Sequence, residues 1–264
     1  MKSIRIDELV ESWLQAGVEP SLVGIAAVIG ECVVDAGVRT DEEMVLIEDD
    51  RIDGTPFGAP YLSGLDDAGR SISMAAISRL LLSRGEFTEV GDSEVRLLGP
   101  FALVGSFLHS FDRQVTIEAR RADASRHLVC RRAGDVCLAE EVLEAGLHHL
   151  VFLNRRQEAE LVAQVVAGDA MWQSDSDLNV TLPATDASFE EMVLGVQAVA
   201  STASLVARIS RAGVEAGISQ GPEMIATLYS SEQGVQILQG TESIAELRSL
   251  HEADLLSALE ALLD

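Results

Sequence analysis

The stretch HLVCRRAGDVCLAEEVLEAGLHHLVFLNRRQEAELVAQVV, residues 127–166, decides the fold. Its apolar runs at 128–130, 136–142 and 147–153 have strand length, and turn signals at Ala133-Gly134-Asp135 and Glu144-Ala145-Gly146 separate them. Runs joined by such tight turns predict an antiparallel meander. Asn154 with Gln157 three residues on resembles a capping box, and Leu161, Val162, Val165 and Val166 carry an amphipathic helix onward. Counted from an Ala133-Gly134 turn, Cys130 and Cys137 become directly opposed across the first hairpin.

Residues 224–263, MIATLYSSEQGVQILQGTESIAELRSLHEADLLSALEALL, repeat the layout. Two runs flank a glycine (Gly134, Gly234), a third run follows, and a helix closes each unit. Leu147, Leu150 and Leu153 align with Ile244, Leu247 and Leu250 at a constant offset, and Val165-Val166 with Leu262-Leu263 at the same one. A helical segment precedes each copy, at 72–85 and 188–211, which favours internal duplication over chance alignment. Neither half buries a sheet easily alone. The expected fold is α+β: a mixed or antiparallel sheet from two similar meander–helix halves in a pseudo-two-fold arrangement, flanked by helices. The expected division is 1–68 as an N-terminal helical segment, 69–168 as the first half and 169–264 as the second, all within one compact domain.

Outward from these copies, 5–16 and 20–36 read as helices, the second opened by Pro20 and followed by Gly37. Residues 44–48 read as a short strand, 48–69 as a turn-rich stretch and 100–111 as a short helix. Ile72, Ala75, Ala76 and Leu80 fall at helical spacing before Gly85. Gln114 to Glu118 alternates as a strand. The acidic, irregular stretch 168–187 is the best linker, and Ser188 with Glu191 opens a long helix reaching Arg211.

Across 264 residues, 43 acids against 19 bases give a formal charge of −24, which disfavours nucleic acid and anionic membrane as partners. Residues 1–55 hold 13 acids and 4 bases, and 169–264 hold 15 and 3, whereas 114–168 hold 8 and 7. The near-neutral meander is therefore the expected partner surface. The start, with Asp7, Glu8 and Glu11, does not read as a signal peptide, and no uncharged run reads as a membrane span. Three cysteines make no secreted disulfide framework, so a cytoplasmic protein is expected.

Catalytic signals are absent: there is no P-loop, no GxGxxG and no GxSxG. Asp49-Asp50-Arg51-Ile52-Asp53-Gly54 fails as a calcium loop, with Arg51 at its third position and Pro60 at its twelfth. Asp175, Asp177, Asn179 and Asp186 fail likewise, because Val180 replaces the glycine and Pro183 intrudes. Cys130 and Cys137, with His127, fall short of a structural zinc set and read as small core residues. His148 and His149 are adjacent, so on a strand they point to opposite faces and cannot chelate one metal. Glu140-Glu141 reads as ordinary surface. Arg120, Arg121, Arg126, Arg131, Arg132, Arg155 and Arg156 read as a solvated sheet rim balanced by Glu118, Glu140 and Glu141. No catalytic residue, cofactor or metal is expected, and the chain reads as a non-enzymatic binding protein.

The layout of two helical and β-meander halves resembles the EspG family, cytoplasmic chaperones of actinobacterial type VII secretion. The resemblance rests on RHLVCRRAGDVCLAEEV followed by GLHHLVFL and a closing helix, within 70–264. Family members begin with a strand, whereas residues 1–37 here read as helix. The resemblance implies a chaperone or adaptor whose sheet captures and shields the apolar tip of a helical-hairpin secretion substrate. Leu150 and Phe152 are the residues expected on such a sheet face, though core placement suits them equally. The alternatives are a structural or assembly subunit forming a homo-oligomer, such as a homodimer, and an enzyme with a scattered site.

Overall fold

The expected meander is present. A computed structural model describes residues 2–48, 59–90, 94–168, 179–183, 186–215, 218–219, 223–232, 234–241 and 244–264. The fold is α+β, with a large mixed sheet flanked by helices, and the chain forms two compact units. One comprises Met1–Asp112 with Val129–Asn154, the other Arg113–Leu128 with Arg155–Asp264. Within the first unit the N-terminal segment joins the meander through Val33–Thr40, which pairs with Leu147–Leu153.

In the first unit, β1 (Ser3–Arg5) leads into α1 (Ile6–Gln15) and α2 (Leu22–Val28), and β2 is Val33–Thr40. The helix expected over 20–36 thus stops early: Val33 and Val34 pair with Ser3 and Ile4 in a parallel ladder, and tertiary pairing overrides helical spacing. Gly37 (φ 85°) sits at an irregularity in β2 instead of ending a helix. The strand expected at 44–48 is replaced by a short helix, α3 (Asp41–Val45). A reciprocal capping box starts it: Thr40 Oγ1 accepts from Glu43 N at 3.3 Å, and Thr40 N donates to Glu43 Oε2 at 2.8 Å. Helices α4 (Pro60–Ser63) and α5 (Asp67–Arg84) follow, the latter ending on left-handed Gly85 as expected. A hairpin of β3 (Phe87–Val90) and β4 (Glu94–Leu97) then precedes α6 (Gly99–Leu108).

After β5 (Arg113–Arg120), which counts with the second unit, the meander runs through β6 (Ser125–Ala133), β7 (Val136–Leu143) and β8 (Leu147–Leu153). The strand order within the first unit is β1-β2-β8-β7-β6, antiparallel in β2–β8 and β7–β8. The hairpin turn is Gly134-Asp135, with only the glycine at positive φ, one residue later than expected. Counting out from it places Cys130 opposite Ala139 and Cys137 opposite Arg132. The cysteines are diagonal neighbours on one face, not the directly opposed pair.

One face of this sheet carries the core: Val34, Leu138, Leu150 and Phe152 pack beneath α1 and α6 with Ile6, Phe101 and Phe107. Phe107 meets Phe152 edge-on, with centroids 5.5 Å apart at 82°.

The second unit holds α7 (Arg155–Ala167), β9 (Asn179–Pro183), α8 (Asp186–Thr202), β10 (Leu205–Glu215), β11 (Ile218–Ser219), β12 (Glu223–Ser231), β13 (Gly234–Thr241), β14 (Ile244–Leu250) and α9 (Glu252–Leu263). Its strands run β5-β10-β12-β13-β14-β9, every ladder antiparallel, with β11 beside β10. Two expectations change here. The helix expected to reach Arg211 ends at Thr202, and β10 follows, because Leu205, Ala207 and Ile209 are buried at period two while Arg208 is exposed. The linker expected over 168–187 contributes β9, which pairs with β14 along the edge, where a terminal Pro183 is tolerated. Ser231 pairs with Gly234, so that glycine opens β13 and the two meanders align more closely than their glycines suggest.

Candidate functional site

Leu228 pairs with Ile237, and the adjoining pair Thr227–Leu238 therefore faces the other side of the second unit's sheet. The Leu228 face is covered: Ser230 donates its hydroxyl to the Val166 carbonyl of α7, which in turn packs against α9. The Thr227 face lies under α8, and this helix leaves part of it open. Val193 and Val196, a half-buried i, i+3 stripe of α8, form one wall of a groove. Ile225, Thr227, Leu238 and Ala245 form its floor.

The groove has a volume of about 420 Å³, within the range of sites that take apolar groups, and none of the described residues lining it is charged. Met224 at its edge is 61% exposed, and Leu194 on α8 is 65% exposed. Arg208, opposite Thr227 in the ladder, and Tyr229, two residues along β12, put polar groups on the same face. Burial holds the Tyr229 hydroxyl above its ordinary value, and the nearby Arg208 charge opposes that shift. An apolar floor with a sparse polar rim binds by covering hydrocarbon.

The residues expected to carry chemistry or contacts fall elsewhere. Leu150 and Phe152 are each 0% exposed, and both belong to the first unit's core. Core placement, which the sequence left open beside a partner face, is where they stand here, packed under α1 and α6. Cys130 and Cys137 are buried thiols whose sulfurs lie within 4.8 Å. His127 joins no metal-ligand cluster with them among the described residues. Burial pushes the His127 imidazole down; Glu118 opposes that shift and Arg120 adds to it. The failed calcium stretch at 49–54 lies outside the described residues, as do Asp175 and Asp177.

His148 and His149 do point to opposite faces. His149 Nε2 meets Asp35 at 3.1 Å on the partly exposed face, while His148 is fully buried. The groups around His148 come from other elements of the chain. Its Nε2 lies 2.6 Å from Asp41 Oδ1 and its Nδ1 lies 2.7 Å from Glu140 Oε1. Glu140 Oε2 in turn accepts from Arg131 Nη1 at 2.6 Å, and the Arg131 guanidinium stacks over Phe111 at 5.5 Å. Glu140 and Arg131 therefore correct the surface and solvated-rim expectations: both are buried members of one charge chain. Arg120 does pair with Glu118 on the exposed side, as expected. The signal available in sequence was phase, because His148 alternates with Leu150 and Phe152 on the inward face.

No protein-family model matches the chain, and no curated protein matches it. Among solved structures, the chain is similar to the Mycobacterium tuberculosis type VII secretion system chaperone EspG5, solved in complex with the PE25–PPE41 dimer. The two share 13% identity at a TM-score of 0.53, over 86% of this chain and 95% of that one. That likeness shows a shared fold. β1 also supplies the opening strand that the EspG-family layout implies and that the helical reading of residues 1–37 had omitted. No helix among the described residues is long and apolar enough to cross a membrane.

Proposed function

We propose that the chain is a non-enzymatic chaperone or adaptor that shields the apolar tip of a helical-hairpin secretion substrate in the groove between α8 and the β12–β13 face. The observation that carries this reading is the groove itself, an apolar slot left open beside a helix and lined by no charged side chain among the described residues. The shared fold with a secretion chaperone solved on a protein dimer supports the choice of a protein as occupant. Binding buries hydrocarbon on both sides, at about 25 cal/mol per Å² before the costs of association. An amphipathic tip laid along α8 would be shielded from self-association until it is handed on. The repeated meander–helix order belongs to the same reading, as the product of an internal duplication with a pseudo-two-fold relation between its halves.

Co-expression with the helical proteins encoded beside it, followed by size-exclusion chromatography, tests the proposal. A stable heterocomplex with one such protein is expected. Val196→Glu, which sets a charge on the groove wall, should weaken that complex at least about tenfold. Ile72→Glu, at a 71% exposed position in the other unit, should leave it unchanged. A homodimer indifferent to every helical partner would instead favour the assembly-subunit alternative.

A further inference from the structure

Both ring nitrogens of His148 face carboxylate oxygens, at 2.6 Å and 2.7 Å, and all three side chains are 0% exposed. A neutral imidazole has one N–H and one lone pair, so it satisfies one carboxylate and repels the other; an imidazolium donates to both. The surrounding charges fit a proton held there. Asp41 reaches His148 from α3 and Glu140 from β7, while Arg131 of β6 completes the Glu140 side and also lies 3.6 Å from Glu48. From β2, Arg39 sits directly opposite His148 in the ladder, but its guanidinium turns to Glu86 at 3.0 Å and Glu43 at 3.7 Å. Arg84 of α5 also meets Glu43. The two arginines nearest His148 therefore have carboxylates of their own.

Asp41 has a second role. Its Oδ2 accepts from the backbone N–H of Tyr61 at 2.6 Å and of Leu62 at 2.9 Å, which fastens α4 to the strand bearing His148. Gly146 closes the same corner: a Cβ there would lie 2.5 Å from the Tyr61 Cβ and 2.9 Å from the Asp41 carboxylate. Leu62 then packs with Val45 and Ala59 in a small separate cluster, and Arg70 Nε donates to its carbonyl at 3.0 Å.

We propose that His148 is a proton-operated latch: its imidazolium, clamped between Asp41 and Glu140, fixes the carboxylate that holds the Tyr61–Leu62 backbone. The inference is independent of the partner groove. Loss of the proton leaves a lone pair against one buried carboxylate, and Asp41 with the α4 backbone is the end that can move. The sign is definite. The folded site retains a proton that an unfolded histidine releases near pH 6.5, so the clamp is complete at and below that pH and is lost as pH rises through the folded-state transition.

Ring-nitrogen NMR of the full chain labelled with ¹⁵N-histidine, together with native-state amide exchange, tests the latch. The account expects both His148 nitrogens to remain protonated past the pH at which an ordinary histidine releases its proton. It expects Tyr61 and Leu62 amides to lose protection in step with that proton. His148→Gln should speed their exchange by about tenfold or more at neutral pH, while Ala207 and Leu228 amides in the other unit stay as in the wild type. Should that variant not fold, the wild-type titration decides alone. A neutral His148 at pH 7, or Tyr61 and Leu62 protection that ignores its titration, overturns the proposal.

Discussion

Phe152 shows how a single residue divides two roles that its sequence context left open. It alternates in phase with Leu150 on β8, a pattern equally suited to a core face or to a sheet waiting for a partner. The edge-on contact with Phe107 and its full burial assign it to the core. Phe152→Ala is accordingly expected to cost about 3–5 kcal/mol in a denaturant titration, through a cavity that α1 and α6 cannot collapse. Capture of a helical partner by the folded fraction should be unaffected; a loss of binding without a loss of stability would return Phe152 to the surface. His148 carries the complementary lesson. A charged residue in phase with two buried leucine-class positions is a visible signal, but Asp41 and Glu140 lie on other elements, and a linear reading cannot bring them together.

Elements were legible where local turn chemistry and hydrophobic period agreed. The meander announced itself through Gly134 and the Glu144-Ala145-Gly146 corner, and α5 through its spacing and Gly85. The failures came where an apolar run fits two periods. Val33 and Val34 continued a helical pattern until β1 offered a parallel edge, and β10 was absorbed into the preceding helix although Leu205, Ala207 and Ile209 already alternated. At 41–45 the decision was made by a side-chain cap. Thr40→Ala removes the oxygen that accepts from Glu43 N, and it should lower stability by about 1 kcal/mol in thermal or denaturant unfolding. A change below the error of those measurements would mean that packing of Met44, not the capping box, sets this helix.

At the scale of the whole molecule, the charge of −24 takes on a more exact meaning. Sequence reasoning placed the partner surface on the near-neutral meander at 114–168. The open apolar groove instead lies within 193–245, inside the most acidic segment, yet its described lining residues carry no charge. Acidity and an open apolar groove thus coexist; on the proposed reading the charge keeps copies of the chain apart and the groove stays available to a helix. The groove could not be read from sequence because it depends on how far α8 stands from β12 and β13, a distance no residue pattern encodes. Hydrogen–deuterium exchange of the full chain, free and bound to its helical partner, tests this most directly. The account predicts new protection on α8 around Val193 and Val196 and on β12 around Ile225 and Thr227. Protection confined to the His149–Val151 face of β8, with α8 and β12 unchanged, would contradict it.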